Sequence, residues 1–429
     1  MVLKYQPIFH FLILLIHFFD MKLLYIDPGT GSAIFSILIG ATATLYFLFR
    51  AILIKLKVLF SSGKKIKHSF SPNLFVIYNE GKQYSNVFEP VLNEFESRCI
   101  NLLYLTSSED DPFFNNTYHY IKCEYIGNDN MAYARLNMLN AGIVLMTTPG
   151  LDVYQLKRSK SVKHYSHVLH APSDATMYRL FGLDYFDSVL LTGDYQAKDI
   201  RILEKKRGTT EKLLVTTGCT YLDVYSEKIS KIPKEENHCF TVLVSPSWGV
   251  SGILSKYGES LLQPLLDSDL NIIVRPHPQS KKTEINVLNE LINKFKKYTN
   301  LKWDFEIENI YSLAKADIMI SDYSGIIYDY IFLFDKPVIY INHGLDLRPY
   351  DADDLGNNAL ENLWQFRTLK EIGVELTEND LPNIVDIIQN VSESEKFKNA
   401  RIIAKNTAWQ FRGEAGKRIV DFMIDQMNI

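Results

Sequence analysis

From Asn73 onward, short apolar runs alternate with segments of helical spacing, and this rhythm restricts the fold more than any other feature of the chain. "NLFVIY" (Asn73–Tyr78), "NLLYLT" (Asn101–Thr106), "GIVLMTT" (Gly142–Thr148), "YSHVLH" (Tyr165–His170), "SVLLTG" (Ser188–Gly193) and "KLLVTTG" (Lys212–Gly218) read as strands. Between them, Phe88–Arg98 sets Phe88, Val91, Leu92 and Phe95 on one helical face, and Met131–Asn140 and Asp194–Lys206 are also helical. Strands this apolar need cover on both faces, which alternating helices supply in a parallel sheet.

The polar interval Ser226–Asn237 breaks the rhythm. It restarts with "FTVLVSPSWG" (Phe240–Gly249), "NIIVRPHP" (Asn271–Pro278), the run at Ile318–Ile320 and "KPVIYIN" (Lys336–Asn342). Ser260–Leu266, Thr283–Lys297, Leu381–Val391 and Glu395–Met427 have helical patterns. The expected architecture is α/β, with two doubly wound domains over 73–225 and 240–394, a linker over 226–239 and a closing helical segment over 395–429. Two such domains make a cleft between carboxyl strand ends, where these folds bind ligands.

Residues 1–54 do not join this pattern. Gly31–Ile54 carries one charge, Arg50, and is long enough to span a bilayer. Lys55, Lys57, Lys64, Lys65 and Lys67 follow it, so the positive-inside bias puts the bulk of the protein in the cytoplasm, behind a single plasma-membrane anchor. Residues 1–30 contain a shorter apolar run, Ile8–Phe19, open to reading as a signal-like segment, an interfacial segment or a second span; Met21 offers an alternative start. A net charge of −4 argues against a nucleic-acid-coating protein. Four widely spaced cysteines with no CxxC pair fit neither a disulfide framework nor a zinc site.

If the strands are parallel, their carboxyl ends share a rim, and the polar residues of interest all fall on it: His170, Thr217, Gly218, Ser245, Arg275 and His277. Ser321, Asp322, Tyr323, Ser324 and Gly325 then separate two apolar runs. They read either as an ordinary cap and turn or as an anion site at a helix start. In "VRPHP", Arg275 has the fork to take a phosphate and His277 can donate to a phosphoryl oxygen; the alternative pairs Arg275 with a carboxylate. His170 is placed to act as a base toward a hydroxyl, against the alternative of a satisfied core histidine. His164, His167 and His170 invite a metal reading, but spacings of three suit neither face of a strand, so no metal is assigned. There is no GxSxG elbow and no Walker lysine loop. Asp346, Asp351, Asp353 and Asp354 read as a solvated acidic loop near the cleft.

"RPHP" (Arg275–Pro278) followed by "ADIMISDYSGIIYDYIFLFDKPVIYI" (Ala316–Ile341) resembles the paired signature of the CDP-glycerol glycerophosphotransferase family, the teichoic-acid primase and polymerase group. The likeness runs over roughly 74–345, through "HVLHAPSD" (His167–Asp174), "TTGCTYLD" (Thr216–Asp223) and "LVSPSWG" (Leu243–Gly249). Gly325 stands where a second Ser is usual, and Ala171 follows His170 where many members have Gly. The resemblance implies a GT-B-like fold and a CDP-alcohol donor held against the second domain by His277, Arg275 and Ser321–Gly325. Ser245 would join them, with Thr217, Gly218 and the helical Asp329 as further cleft residues. It implies His170 as the base for the acceptor, a hydroxyl of a glycan or a lipid-linked molecule, with CMP leaving and no tightly bound cofactor. A glycosyltransferase using a sugar nucleotide is the alternative reading.

Overall fold

The computed structural model describes residues 73–233, 239–306, 308–341, 344–356 and 358–428, together with Thr42 and Leu45. Apart from those two exposed helical residues, the expected membrane span over 31–54 lies outside the described residues. Among the described residues no helix is long and apolar enough to cross a membrane. Everything from Ser71 onward forms one compact unit.

That unit contains two parallel sheets. The first comprises β1 (Asn73–Asn79), β2 (Leu102–Thr106), β3 (Ile121–Tyr125), β4 (Asn140–Met146), β5 (Ser161–Val168), β6 (Ser188–Leu191) and β7 (Leu213–Thr216), in the order 3-2-1-4-5-6-7. The second comprises β8 (Thr241–Val244), β9 (Asn271–Val274), β10 (Leu301–Trp303), β11 (Ile318–Ser321), β12 (Val338–Ile341) and β13 (Gly373–Leu376), in the order 10-9-8-11-12-13. In each sheet the order reverses once, between β1 and β4 and between β8 and β11. Such a reversal leaves a crevice at the carboxyl edge, because the connections on either side leave toward opposite faces.

Both faces of both sheets are buried, which is why the strands are apolar throughout. Phe75 and Ile77 pack on one side with Val91, Leu92 and Phe95 of the helix Ser85–Ser97; Val76 and Tyr78 pack on the other with Val144 and Met146. In the second sheet Val242, Ile318 and Ile339 meet Leu261, Leu262 and Leu265 of the helix Ile253–Leu266. Leu243, Met319 and Val338 meet Ile327, Tyr330 and Ile331 of the helix Ile326–Phe334 on the opposite face.

The predicted linker is different in the structure: Ser226–Ser230 is the last part of a helix, Thr220–Ser230. Tyr221 and Leu222 supply the apolar side that carries the helix past the composition change. The closing segment is two helices rather than one. Lys398–Ala408 packs on the second domain, where Ala404 and Ala408 join Tyr330 and Ile331. Trp409 then donates from Nε1 to Asp223 at 2.9 Å, and Ala415–Gln426 lays Ile419, Val420 and Met423 on the helix Ser85–Ser97. Gly218 marks this crossing: its φ is +98°, and a Cβ there would sit 2.6 Å from the Gln410 carbonyl oxygen.

The acidic loop is not solvated at Asp351, which is 1% exposed. Arg207, from the helix Ala197–Arg207, donates to Asp184, Asp351 and Asp354, each at 2.7 Å. Asp351 also accepts from the backbone N–H of Phe181 at 2.6 Å. A second tie joins Asp174 of the first domain to the helix Trp364–Ile372 of the second, accepting from the N–H of Trp364 at 3.2 Å and of Gln365 at 2.8 Å. Desolvation pushes the Asp174 carboxyl up to about 7, against the opposing pull of those N–H groups.

Candidate active site

A cavity of about 420 Å³ lies between the carboxyl edges of the two sheets. Tyr84 and His170 line it from the first domain, Tyr221 and Tyr225 from the connecting helix, and Ser245, His277, Ser324 and Asp329 from the second domain. It therefore opens onto the second sheet's crevice between β8 and β11, whose ends carry Ser245 and the Ser321–Gly325 turn.

Within that turn the residues divide sharply. Ser321 is fully buried and donates to the Ser245 carbonyl at 2.6 Å, tying β11 to β8 across the crevice. Asp322 is fully buried and accepts from the Ser247 N–H at 2.9 Å, the Ser247 hydroxyl at 2.8 Å and the Ile253 N–H at 3.4 Å. These two side chains build the turn and do not line the cavity. Tyr323 sets its ring edge-on to Phe366, 5.2 Å between centroids, and burial pushes its hydroxyl up to about 12. Ser324 and Gly325 alone of the five reach the cavity. Gly325 is the N-cap of the helix Ile326–Phe334, and the space its Cβ would occupy is open to 4 Å.

Arg275 reaches the cavity wall, but its guanidinium is engaged behind it. One terminal nitrogen donates to Asp304 at 2.5 Å and the other to the Glu306 carbonyl at 2.7 Å. The bidentate phosphate fork expected of Arg275 is thus committed to the loop after β10. This is the carboxylate pairing that the sequence left open. Burial opposes the Asp304 charge, yet bonds from Ser312, Glu306 and Arg275 hold the carboxyl below its ordinary range. Thr217 is 1% exposed and Gly218 faces the chain crossing; neither lines the cavity, a correction to their expected place there.

His277 has a defined tautomer. The Gln279 N–H donates to its Nδ1 at 3.1 Å, so Nδ1 is the acceptor and the proton resides on Nε2. Desolvation holds the ring below the usual imidazole range although Glu284 and Asp322 pull upward, so His277 is a neutral donor. Trp248 stacks over it, with 6.3 Å between centroids. On the opposite wall His170 lies 2.8 Å from Thr147 Oγ1 through Nδ1, with Tyr84 against its ring. Burial lowers its pKa to about 4. Asp329 has no hydrogen-bond partner among the described residues, and desolvation pushes its carboxyl well above the carboxylate range. The three histidines of "HYSHVLH" do not converge: His164 bonds Ser188 at 2.9 Å while His167 bonds Tyr178 at 3.1 Å.

Tyr84 and Asn309 are among the wall residues that sequence reasoning missed. Tyr84 follows β1 directly, so the strand-end argument already used elsewhere would have found it. Asn309, whose buried Oδ1 has no partner among the described residues, follows the short β10 and carried no readable signal.

Two parallel α/β domains with a cleft between their carboxyl edges define the architecture of GT-B transferases and sugar-nucleotide enzymes. Residues 198–357 match the model of a family described as CDP-Glycerol:Poly(glycerophosphate) glycerophosphotransferase. The fold is similar to the wall teichoic acid polymerase TagF, at 14% identity over 82% of this chain and 89% of that one, TM-score 0.53. A TagF variant soaked with CDPG aligns over 90% of this chain and 96% of its own, at 13% identity and TM-score 0.55. UDP-GlcNAc 2-epimerase from Methanocaldococcus jannaschii, in complex with UDP-GlcNAc and UDP, aligns over 82% and 99%, at 12% identity and TM-score 0.54. No curated protein matches the chain.

Proposed function

We propose that this protein is a membrane-anchored transferase that moves glycerol phosphate, or a related alcohol phosphate, from a CDP-alcohol to a hydroxyl of a cell-envelope glycan or lipid-linked acceptor. The observation that carries the reading is that His170 and His277 line one cavity from opposite domains, the second as a neutral Nε2–H donor. The family match supports the donor class. Gly31–Ile54, with its following lysines, supplies the anchor, with the catalytic domains on the cytoplasmic face of the plasma membrane.

In this reaction the acceptor hydroxyl loses its proton to His170 as its oxygen bonds to the phosphorus that carries the alcohol. The bond from that phosphorus to the bridging oxygen breaks, and CMP leaves with the electron pair. Catalysis of this kind is positioning plus stabilisation of charge on the transferred group. Among the described residues Arg275 is the only Lys or Arg on the cavity wall, and its charge is shared with Asp304. Most of the stabilisation therefore falls to neutral donors, namely His277 Nε2–H, the Ser324 hydroxyl and the exposed start of the helix Ile326–Phe334. Desolvation pushes the Asp329 carboxyl well above the carboxylate range, which weakens its repulsion of a nearby pyrophosphate.

The test is CMP release by detergent-solubilised full-length protein offered CDP-glycerol, CDP-ribitol and a UDP-sugar. Release from one CDP-alcohol, lost in His277→Ala, supports the reading. Turnover of the UDP-sugar alone would replace it with a glycosyltransferase, the second reading that the shared fold favours.

A further inference from the structure

The amino edge of the first sheet, opposite the cleft, carries a surface that the transfer reaction does not use. Three loops enter adjacent strands there: 137–139 before β4, 147–160 before β5 and 185–187 before β6. Hydrogen bonds lock them into one surface. Asn137 accepts from the Lys157 N–H at 2.7 Å and donates to the Gln155 carbonyl at 3.1 Å, while Ser159 donates to the Leu139 carbonyl at 2.6 Å. Arg158 donates to the Tyr185 carbonyl at 2.6 Å. From this frame Met138, Tyr154 and Tyr185 stand out, exposed to 66%, 68% and 47%. Lys157, Lys160 and Lys163 are exposed among them.

Single apolar residues on a surface need no explanation. This set differs in its charge. Among the described residues Lys157, Lys160 and Lys163 are in no salt bridge; Lys157 donates to the Asp152 carbonyl at 2.9 Å. The carboxylates close by are already engaged. Asp152 accepts from the Arg158 N–H at 3.2 Å, and Asp187 from Arg158 Nη2 at 2.8 Å and from the Tyr165 N–H at 2.7 Å. Three ammonium groups therefore stand beside two tyrosines and a methionine. Tyrosine has an apolar body and a polar tip, and lysine an apolar stem below its charge, so both suit the layer where hydrocarbon meets charged headgroups. Chain connectivity points the same way. β1 lies beside β4 and begins at Asn73, so the chain that follows the expected span over 31–54 and its lysines enters the domain at this edge.

We propose that this edge is a docking surface for a bilayer rich in anionic headgroups, a membrane contact made by the folded domain in addition to the expected anchor. Met138, Tyr154 and Tyr185 enter the interfacial layer while Lys157, Lys160 and Lys163 meet lipid phosphates. Interfacial binding depends on that combination of apolar area and charge. The cleft lies at the opposite, carboxyl edge. With β5 eight residues long, the docked domain holds the cleft roughly 25 Å above the headgroups. On the transfer reading, a lipid-linked acceptor then meets the cleft through an extended head rather than at the bilayer surface.

The test is amine footprinting of full-length protein in lipid nanodiscs of phosphatidylcholine, with and without phosphatidylglycerol. Acetylation of each lysine is read by mass spectrometry, with the exposed Lys302 of β10 as internal reference. With phosphatidylglycerol, acetylation of Lys157, Lys160 and Lys163 is expected to slow roughly fivefold relative to Lys302, and raised salt should reverse the effect. Replacing both rings, Tyr154→Ser with Tyr185→Ser, keeps the three charges and should weaken the protection by about twofold or more. Equal acetylation of the three lysines in both lipids, or full protection in a folded variant lacking both tyrosines, overturns the proposal. Failure to enter phosphatidylcholine nanodiscs would sink the anchor reading, and footprinting with phosphatidylglycerol would still decide the docking surface.

Discussion

The two walls of the cleft each present a histidine, and the contrast between them shows how one residue type is set to opposite roles. On the second-domain wall a backbone N–H, that of Gln279, points at Nδ1 of His277. A backbone N–H can only donate, so the local turn alone makes this ring an Nε2–H donor. On the first-domain wall His170 meets hydroxyls, which impose no direction, and its state depends on residues 23 positions away at Thr147 and 8 away at Tyr178. A local device sets one histidine; a tertiary one sets the other.

The sharpest way to break this comparison is to replace each histidine by glutamine. His170→Gln is expected to lower kcat about a thousandfold, since the base itself is lost. His277→Gln retains a donor amide and is expected to cost about a hundredfold or less. Equal losses in CMP-release assays would show that the two walls do not divide the work. The same contrast predicts a pH profile. A base whose pKa is lowered to about 4 is deprotonated above that value, so kcat/KM should persist below pH 6 and fall only as pH drops through about 4. A limb near 6.5 would mean that His170 is not buried as described.

Asp174 sharpens the comparison at the level of stability, because it ties the first-domain wall to the second domain. Its folded-state pKa, about 7, exceeds the ordinary carboxyl value of 3.8, so the fold binds its proton more tightly than the unfolded chain does. The group's contribution is therefore fully present below pH 3.8 and lost as pH rises through 7. Asp174→Asn removes this dependence, and its unfolding free energy relative to wild type should improve from pH 5 to pH 7, by up to about 1.4 kcal/mol per pH unit, and level off above. A difference flat with pH would refute the shifted titration. The smallest effect is expected at Gly325, where the space for a Cβ is open. Gly325→Ser should change stability by less than about 0.5 kcal/mol and place a hydroxyl on the cavity wall; a large drop in Tm would show the turn to be tighter than its geometry implies.

Much of the architecture was legible because central strands of a buried parallel sheet have no solvent face, and "IVLM" or "VLLT" can hardly be anything else. The strands that escaped reading are β3 "IKCEY", β10 "LKW" and β13 "GVEL", all at sheet edges. An edge strand keeps polar residues on its open side and so loses the apolar signature. The site was legible to the level of the segment. "SDYSG" belongs to the crevice, yet Ser321 and Asp322 turn inward to close β11 on β8 while Ser324 and Gly325 turn outward, a division that depends on the crossing of two strands far apart in sequence.

By itself, then, the sequence determined the alternation of strand and helix, the pairing of two domains and the strand ends at which polar residues gather, because these follow from local periodicity and from the need to cover apolar strands. Only the tertiary structure decided that Arg275 is bonded to Asp304, that Thr217 is buried and Gly218 faces the chain crossing, that Arg207 gathers three acids, and that Nδ1 of His170 meets Thr147 and Tyr178. Those outcomes depend on the direction of single hydrogen bonds between distant segments, and direction is a property of geometry that composition and spacing do not encode.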